Sequence, residues 1–171
     1  MRSLAITVVG HDRPGIIAQV AEALSRYGMN LEDSSMTLLR GHFAMTLICS
    51  GVATPTDVEQ ALAPLADDGL AVTVREVVDE SDRPAGGPTY LVTVHGVDRL
   101  GIVAALATAI AGSGGNITDL TTRLSGDLYV LVAEVDLPAS ADIEGLRQTL
   151  RKVAARLGVE AGLRPLENDD L

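Results

Sequence analysis

A chain of 171 residues that is 47% hydrophobic and 21% charged, with a mean hydropathy of +0.26, has the composition of one medium or two small folded domains, which excludes a disordered polypeptide. With 23 acidic residues against 13 basic ones the formal charge is −10, and the basic residues do not cluster in the sequence, so direct binding of nucleic acid is not expected. The single cysteine, Cys49, rules out an intramolecular disulfide and fits a reducing cytoplasm, while the apolar runs fall far short of the roughly 18 to 20 residues that span a bilayer, so no membrane role is indicated.

Taken in chain order, Leu4 to Val9 is short, rich in β-branched residues and bounded by Gly10, which predicts a strand. After a turn, Ile16, Ile17, Val20, Leu24 and Tyr27 fall on one helical stripe, and Gly28 supplies the stop. Residues 30–39 and 42–50 are the next two strands, joined by Arg40-Gly41 as a hairpin. A second helix begins at Thr56 with Val58, Leu62 and Leu65 inward, and Ala71 to Val78 closes the unit as a strand. The order over residues 1–78 is βαββαβ.

Residues 79–88 are polar and rich in proline and glycine, as linkers are. Fully extended at about 3.3 Å per residue, such a segment reaches roughly 30 Å, enough for the flanking units to lie side by side. Residues 89–171 then repeat the path, with strand 89–95, helix 101–113, strands 116–125 and 127–136, helix 142–157 and strand 158–164. Ser125-Gly126-Asp127 makes the hairpin, and Ile143, Leu146, Leu150, Val153 and Leu157 form the apolar stripe of the last helix.

The repetition extends to the residues themselves. Thr7-Val8-Val9-Gly10-His11-Asp12-Arg13-Pro14-Gly15-Ile16-Ile17-Ala18 lies without a gap over Thr93-Val94-His95-Gly96-Val97-Asp98-Arg99-Leu100-Gly101-Ile102-Val103-Ala104. The same offset pairs Gly28 with Gly114, Asn30 with Asn116, Asp33 with Asp119 and Phe43 with Tyr129. The expected fold is therefore α+β: two ferredoxin-like modules, each an antiparallel four-stranded sheet with two helices on one face. Modules of roughly 80 residues have small cores and an uncovered sheet face, so pairing of modules and a homodimer are expected.

Chemistry concentrates at the turn from first strand to first helix. A helix that begins near Pro14 and Gly15 offers unpaired N–H groups and a positive dipole end to a carboxylate or phosphate oxygen, and Gly15 lets a ligand approach the backbone. In a βαββαβ module the start of the second strand is expected to lie beside this turn, so Asn30, with donors and an acceptor, can help fix both ends of a zwitterion, and a small amino acid fits. A purely structural reading stays open: Asp12 as helix cap, Pro14 in the first helical turn, Gly15 for tight packing and Asn30 for the turn after Gly28.

The segments Asp12-Arg13-Pro14-Gly15-Ile16-Ile17 and Gly28-Met29-Asn30-Leu31-Glu32-Asp33 resemble the signature of ACT domains, small-molecule regulatory modules of amino-acid metabolism. The tandem is similar to the glycine cleavage system transcriptional repressor family over almost the whole chain, and similar segments occur in the ACT regions of phosphoserine phosphatase and formyltetrahydrofolate deformylase. The resemblance implies a non-catalytic regulator that binds glycine or serine where paired modules meet and acts through a partner, a DNA-binding regulator or an enzyme. Its ligand residues carry over to Asp12, Arg13, Pro14, Gly15, Ile16, Asn30 and Leu31, and in the second copy to Asp98, Arg99, Gly101, Ile102, Asn116 and Ile117. Leu100 replaces the motif's proline, so the second turn is less fixed in its backbone and weaker binding is expected there.

Catalytic and cofactor readings find little support. No strand-borne Asp-x-Asp pair suggests a phosphatase nucleophile, and Ser34 and Ser35 beside Asp33 lack a histidine in the same local constellation. His11, His42 and His95 stand singly, without metal-ligand spacing. Gly112-Ser113-Gly114-Gly115 follows a helix instead of opening one, so it is no phosphate loop. Aromatic residues at 2% leave little for a planar cofactor to stack on, and Cys49, in an apolar strand, is expected to be buried and inert.

Overall fold

The computed structural model describes residues 1–78 and 87–166. Except for Gly87 and Pro88, the predicted linker at 79–88 lies outside the described residues, as do positions 167–171. The chain divides into two compact units, Met1–Ser81 and Asp82–Leu171.

The first unit runs β1 (Arg2–His11), α1 (Ile16–Arg26), β2 (Asn30–Leu39), β3 (His42–Gly51), α2 (Pro55–Asp67) and β4 (Ala71–Val77). Its sheet has the order β2-β3-β1-β4 with every pairing antiparallel. The second runs β5 (Thr89–Val97), α3 (Ile102–Gly112), β6 (Asn116–Ser125), β7 (Leu128–Asp136), α4 (Ile143–Leu157) and β8 (Val159–Pro165), in the order β6-β7-β5-β8. The predicted ferredoxin-like module is thus present twice.

Each core follows from two superimposed periods. Alternation on β1 buries Leu4, Ile6 and Val8, and alternation on β3 buries Phe43, Met45, Leu47 and Cys49. Onto that face α1 lays Ile16, Val20 and Leu24, and α2 lays Val58, Leu62 and Leu65. Each such side chain contributes about 1.5 to 3 kcal/mol through removal of apolar surface from water. The second unit is built alike from Val92, Val94, Ile102, Leu106, Ile110, Leu131, Leu146 and Leu150.

One detail departs from the expected stripe. Ile17 and Tyr27 are 47% and 43% exposed. A turn of 3.6 residues places neighbours about 100° apart, so when Ile16 faces the sheet Ile17 cannot, and Tyr27 has already left the helix as its C-cap.

The helix ends carry identifiable stops. The N–H groups of Gly28 and Met29 bond to the carbonyls of Ser25 and Leu24, and those of Gly114 and Gly115 bond to Ala111 and Ile110, a Schellman motif in each copy. Helix α2 starts one residue before the expected Thr56. Thr54 accepts from the Asp57 N–H, Asp57 accepts from the Thr54 N–H, and Pro55 opens the helix. Strand β2 is an edge strand exposed along nearly its whole length, with Met36, Leu38 and Leu39 among its open apolar side chains. Among the described residues no helix is long and apolar enough to cross a membrane.

Candidate ligand-binding site

Strand β1 continues past Gly10 to His11, which pairs with His42 on β3, and the Asp12 N–H then bonds to the Gly41 carbonyl at 2.9 Å. The turn is thereby tied to the β2–β3 hairpin. Arg13 is held from the other side, where its guanidinium donates to Asp68 at 2.8 Å and to the Gln19 amide oxygen at 3.0 Å. Gly15 is the N-cap of α1 with φ 92° and ψ −1°, and no side chain caps the helix. Asp12 is therefore not the cap that the sequence left open, and Pro14 precedes the helix instead of entering its first turn. With no side-chain cap, the N–H groups of the first turn are left for a ligand or water.

Asp12, Arg13, Gly15 and Ile16 line one open concavity of about 490 Å³, together with Met36 of β2 and Phe43 of β3. In the second unit Asp98, Arg99, Gly101 and Ile102 line an equivalent hollow of about 570 Å³ with Tyr129. Gly101 has φ 90° and ψ 4°, so the glycine keeps the conformation of Gly15 although Leu100 replaces the proline.

Asn30 and Leu31 do not join the turn within their own module, which corrects the expectation that the start of the second strand lies beside it. Asn30 and Ser3 both pair with Ser50, at the beginning of β1, whereas the turn follows His11, level with Leu39. At about 3.3 Å per residue the separation is roughly 30 Å. The reason is connectivity: α1 carries the chain back along the sheet, so β2 starts where β1 started and runs parallel to it. Asn116 and Ile117 are removed from the second turn in the same way, with Asn116 level with Thr89 through Asp136.

Two features escaped the sequence. His11 and His42, read as single histidines, face each other with ring centroids 6.5 Å apart and planes at 81°. Only the β1–β3 register could have revealed that pair. A bulge also interrupts β2 at Glu32 and β6 at Thr118, just beyond each asparagine. Ser50 donates to Glu32 at 2.5 Å across the first of them. Among the described residues no group of three or more His, Cys, Asp or Glu side chains is arranged to hold a metal ion.

Comparison with known proteins bears on this geometry. The ACT domain family matches residues 2–75 and again residues 89–163. The glycine cleavage system transcriptional repressor of Escherichia coli (strain K12) is 24% identical over 94% of this chain and 88% of its own length. A phosphoserine phosphatase of Streptomyces coelicolor is 30% identical over 92% of this chain, which spans 38% of that enzyme. Among solved structures, an unknown protein from Galdieria sulphuraria superposes with a TM-score of 0.84 at 27% identity, covering 97% of this chain and 99% of its own. A candidate glycine cleavage system transcriptional repressor shares the fold with a TM-score of 0.70 at 23% identity, over 98% of each chain. Two matched segments, each coinciding with one βαββαβ unit and one glycine-capped turn, make this chain a member of the ACT domain family.

Proposed function

We propose that this chain is a non-catalytic regulator that binds a small amino acid, glycine or serine, and passes its occupancy to a separate protein. The observation that carries this reading is the likeness to the E. coli repressor over nearly the full length of both chains. The partner fits a DNA-binding regulator in the cytoplasm, because a charge of −10 sets this chain itself against DNA. A second reading, control of an enzyme of amino-acid or one-carbon metabolism, draws on the phosphoserine phosphatase match.

The binding site in this reading is completed by a homodimer. The open edge of β2 can accept β2 of a second chain antiparallel, and two strands running in opposite directions bring the start of one towards the turn end of the other. Asn30 and Leu31 of one chain then approach Asp12, Arg13, Pro14, Gly15 and Ile16 of its partner. The ligand carboxylate takes the N–H groups at the start of α1 and Asn30 orients the other end. Asn116 and Ile117 serve Asp98, Arg99, Gly101 and Ile102 alike.

A thermal-shift screen of the amino acids tests the reading. A ligand at a hundredfold excess over Kd stabilises the native state by about 2.7 kcal/mol, so glycine or serine raises the melting temperature. Asn30→Ala removes that rise and leaves the unliganded protein as stable as before, and Asn116→Ala matters less. If no amino acid shifts the unmodified chain, the sensor reading fails. Light scattering that gives a monomer refutes the dimer-completed site, and the partner recovered by affinity purification separates the two readings.

A further inference from the structure

The two turns match in their left-handed glycines and in their Asp-Arg pairs but differ in the arginine's partners. Arg13 is neutralised by Asp68 and held by Gln19. The repeat replaces both partners: Ala105 stands where Gln19 does, and the left-handed glycines Gly69 and Gly158 that follow the second helix of each unit align Leu157 with Asp68 and Arg156 with Asp67. Local charge at these two helix-end positions moves from −2 to +1. Among the described residues no ion pair engages Arg99 or Arg156.

Both arginines line a single open concavity of about 550 Å³, together with Leu100, Ala155, Leu157 and Gly158. The Gly158 N–H meets the carbonyls of Ala154 and Ala155 near the end of α4, and the Arg156 side chain is exposed. Two cations, unpaired among the described residues and beside apolar walls, select a small ligand carrying two negative charges on several oxygens. A phosphoryl group has that charge and presents three acceptor oxygens to planar, multi-donor guanidinium groups.

We propose that the second unit binds the phosphoryl group of a small molecule between Arg99 and Arg156, at a place where the first unit is closed by the Arg13–Asp68 ion pair. The site shares Arg99 with the second-unit turn of the amino-acid reading above but does not involve Asn30 or Asn116.

The test is a calorimetric titration of the full chain with inorganic phosphate, with O-phosphoserine and serine as further arms. One saturable phosphate site is expected. Arg99→Gln and Arg156→Gln each weaken it by about tenfold or more, the cost of losing a charge-assisted bond, and Arg26→Gln, at a residue paired with Glu22 on α1, leaves it unchanged. Tighter binding of O-phosphoserine than of phosphate assigns the site to a phosphomonoester, and equal binding assigns it to free phosphate. Absence of saturable binding, or binding that survives both substitutions together, overturns the proposal. Because serine and glycine thermal shifts depend on Asn30, failure here and failure of the sensor reading are read separately.

Discussion

Gly15 and Gly101 hold the same left-handed conformation, φ 92° and 90°, at the first residue before α1 and α3. Neither has a heavy atom within 4 Å of where a Cβ would be built, so space is not what demands glycine. The demand is conformational, since an L side chain in this region costs about 1 to 2 kcal/mol. Gly15→Ala and Gly101→Ala are each expected to lower unfolding free energy by that amount in urea titrations. A loss well above it would show that the turn is packed more tightly than its open surroundings indicate.

The reciprocal bonds of Thr54 and Asp57 at the start of α2 have a pH signature. Hydrogen bonds from the Thr54 hydroxyl and backbone hold the Asp57 carboxyl below its ordinary value. A carboxylate with a depressed native pKa adds stability at pH above the unfolded value, near 4, and that stability fades as pH falls through the lower native value. Asp57→Asn is therefore expected to cost stability at neutral pH and to narrow its gap to the unmodified chain in acid, as measured by denaturant midpoints. Thr54→Ala removes the cap itself and costs about 1 kcal/mol at neutral pH. A pH-independent gap for Asp57→Asn would refute the account.

The elements were legible because two short periods write them into the chain: Leu4, Ile6 and Val8 at every second residue, Ile16, Val20 and Leu24 at every fourth. Where two apolar residues adjoin, as Ile16 and Ile17 do, the period alone does not say which one faces the sheet. The turn residues of the candidate site were legible too, because Asp12, Arg13, Gly15 and Ile16 are neighbours in sequence and line one hollow. Met36 and Phe43 were not, since only strand register brings them there. The placement of Asn30 failed for a different reason. It turns on strand direction: two strands joined by a returning helix run parallel to each other, which separates the end of β1 from the start of β2. The bulges at Glu32 and Thr118 carry no glycine that would announce them.

Cys49 is buried on β3, with its thiol directed at the Leu4 carbonyl at 3.7 Å. Burial, and secondarily the charge of Glu32, push the thiol above its ordinary pKa, so less of the reactive thiolate exists at mildly alkaline pH than in a free cysteine. Titration with a thiol-reactive disulfide reagent is expected to label the native chain slowly, at the rate of local opening, and to label one thiol at once when denaturant is added. Immediate labelling of the native protein would place Cys49 at the surface and contradict the packing of β3 on β1.

The proline that opens the first turn and the leucine that replaces it in the second permit a direct exchange. Leu100 is fully exposed, lies outside both helix and strand, and its N–H takes part in no backbone hydrogen bond among the described residues. The following glycine has the geometry that Gly15 adopts after Pro14. Proline at position 100 then loses no donor bond and no packing, and it narrows the unfolded ensemble. Leu100→Pro is expected to raise stability by about 0.4 to 1 kcal/mol, and Pro14→Leu to lower it by a similar amount, through the unfolded state alone. Denaturant midpoints with unchanged slopes would bear this out. A loss of stability in Leu100→Pro would mean that the residue before Gly101 takes a backbone angle that proline cannot, and that the two turns match at their glycines but not along their length.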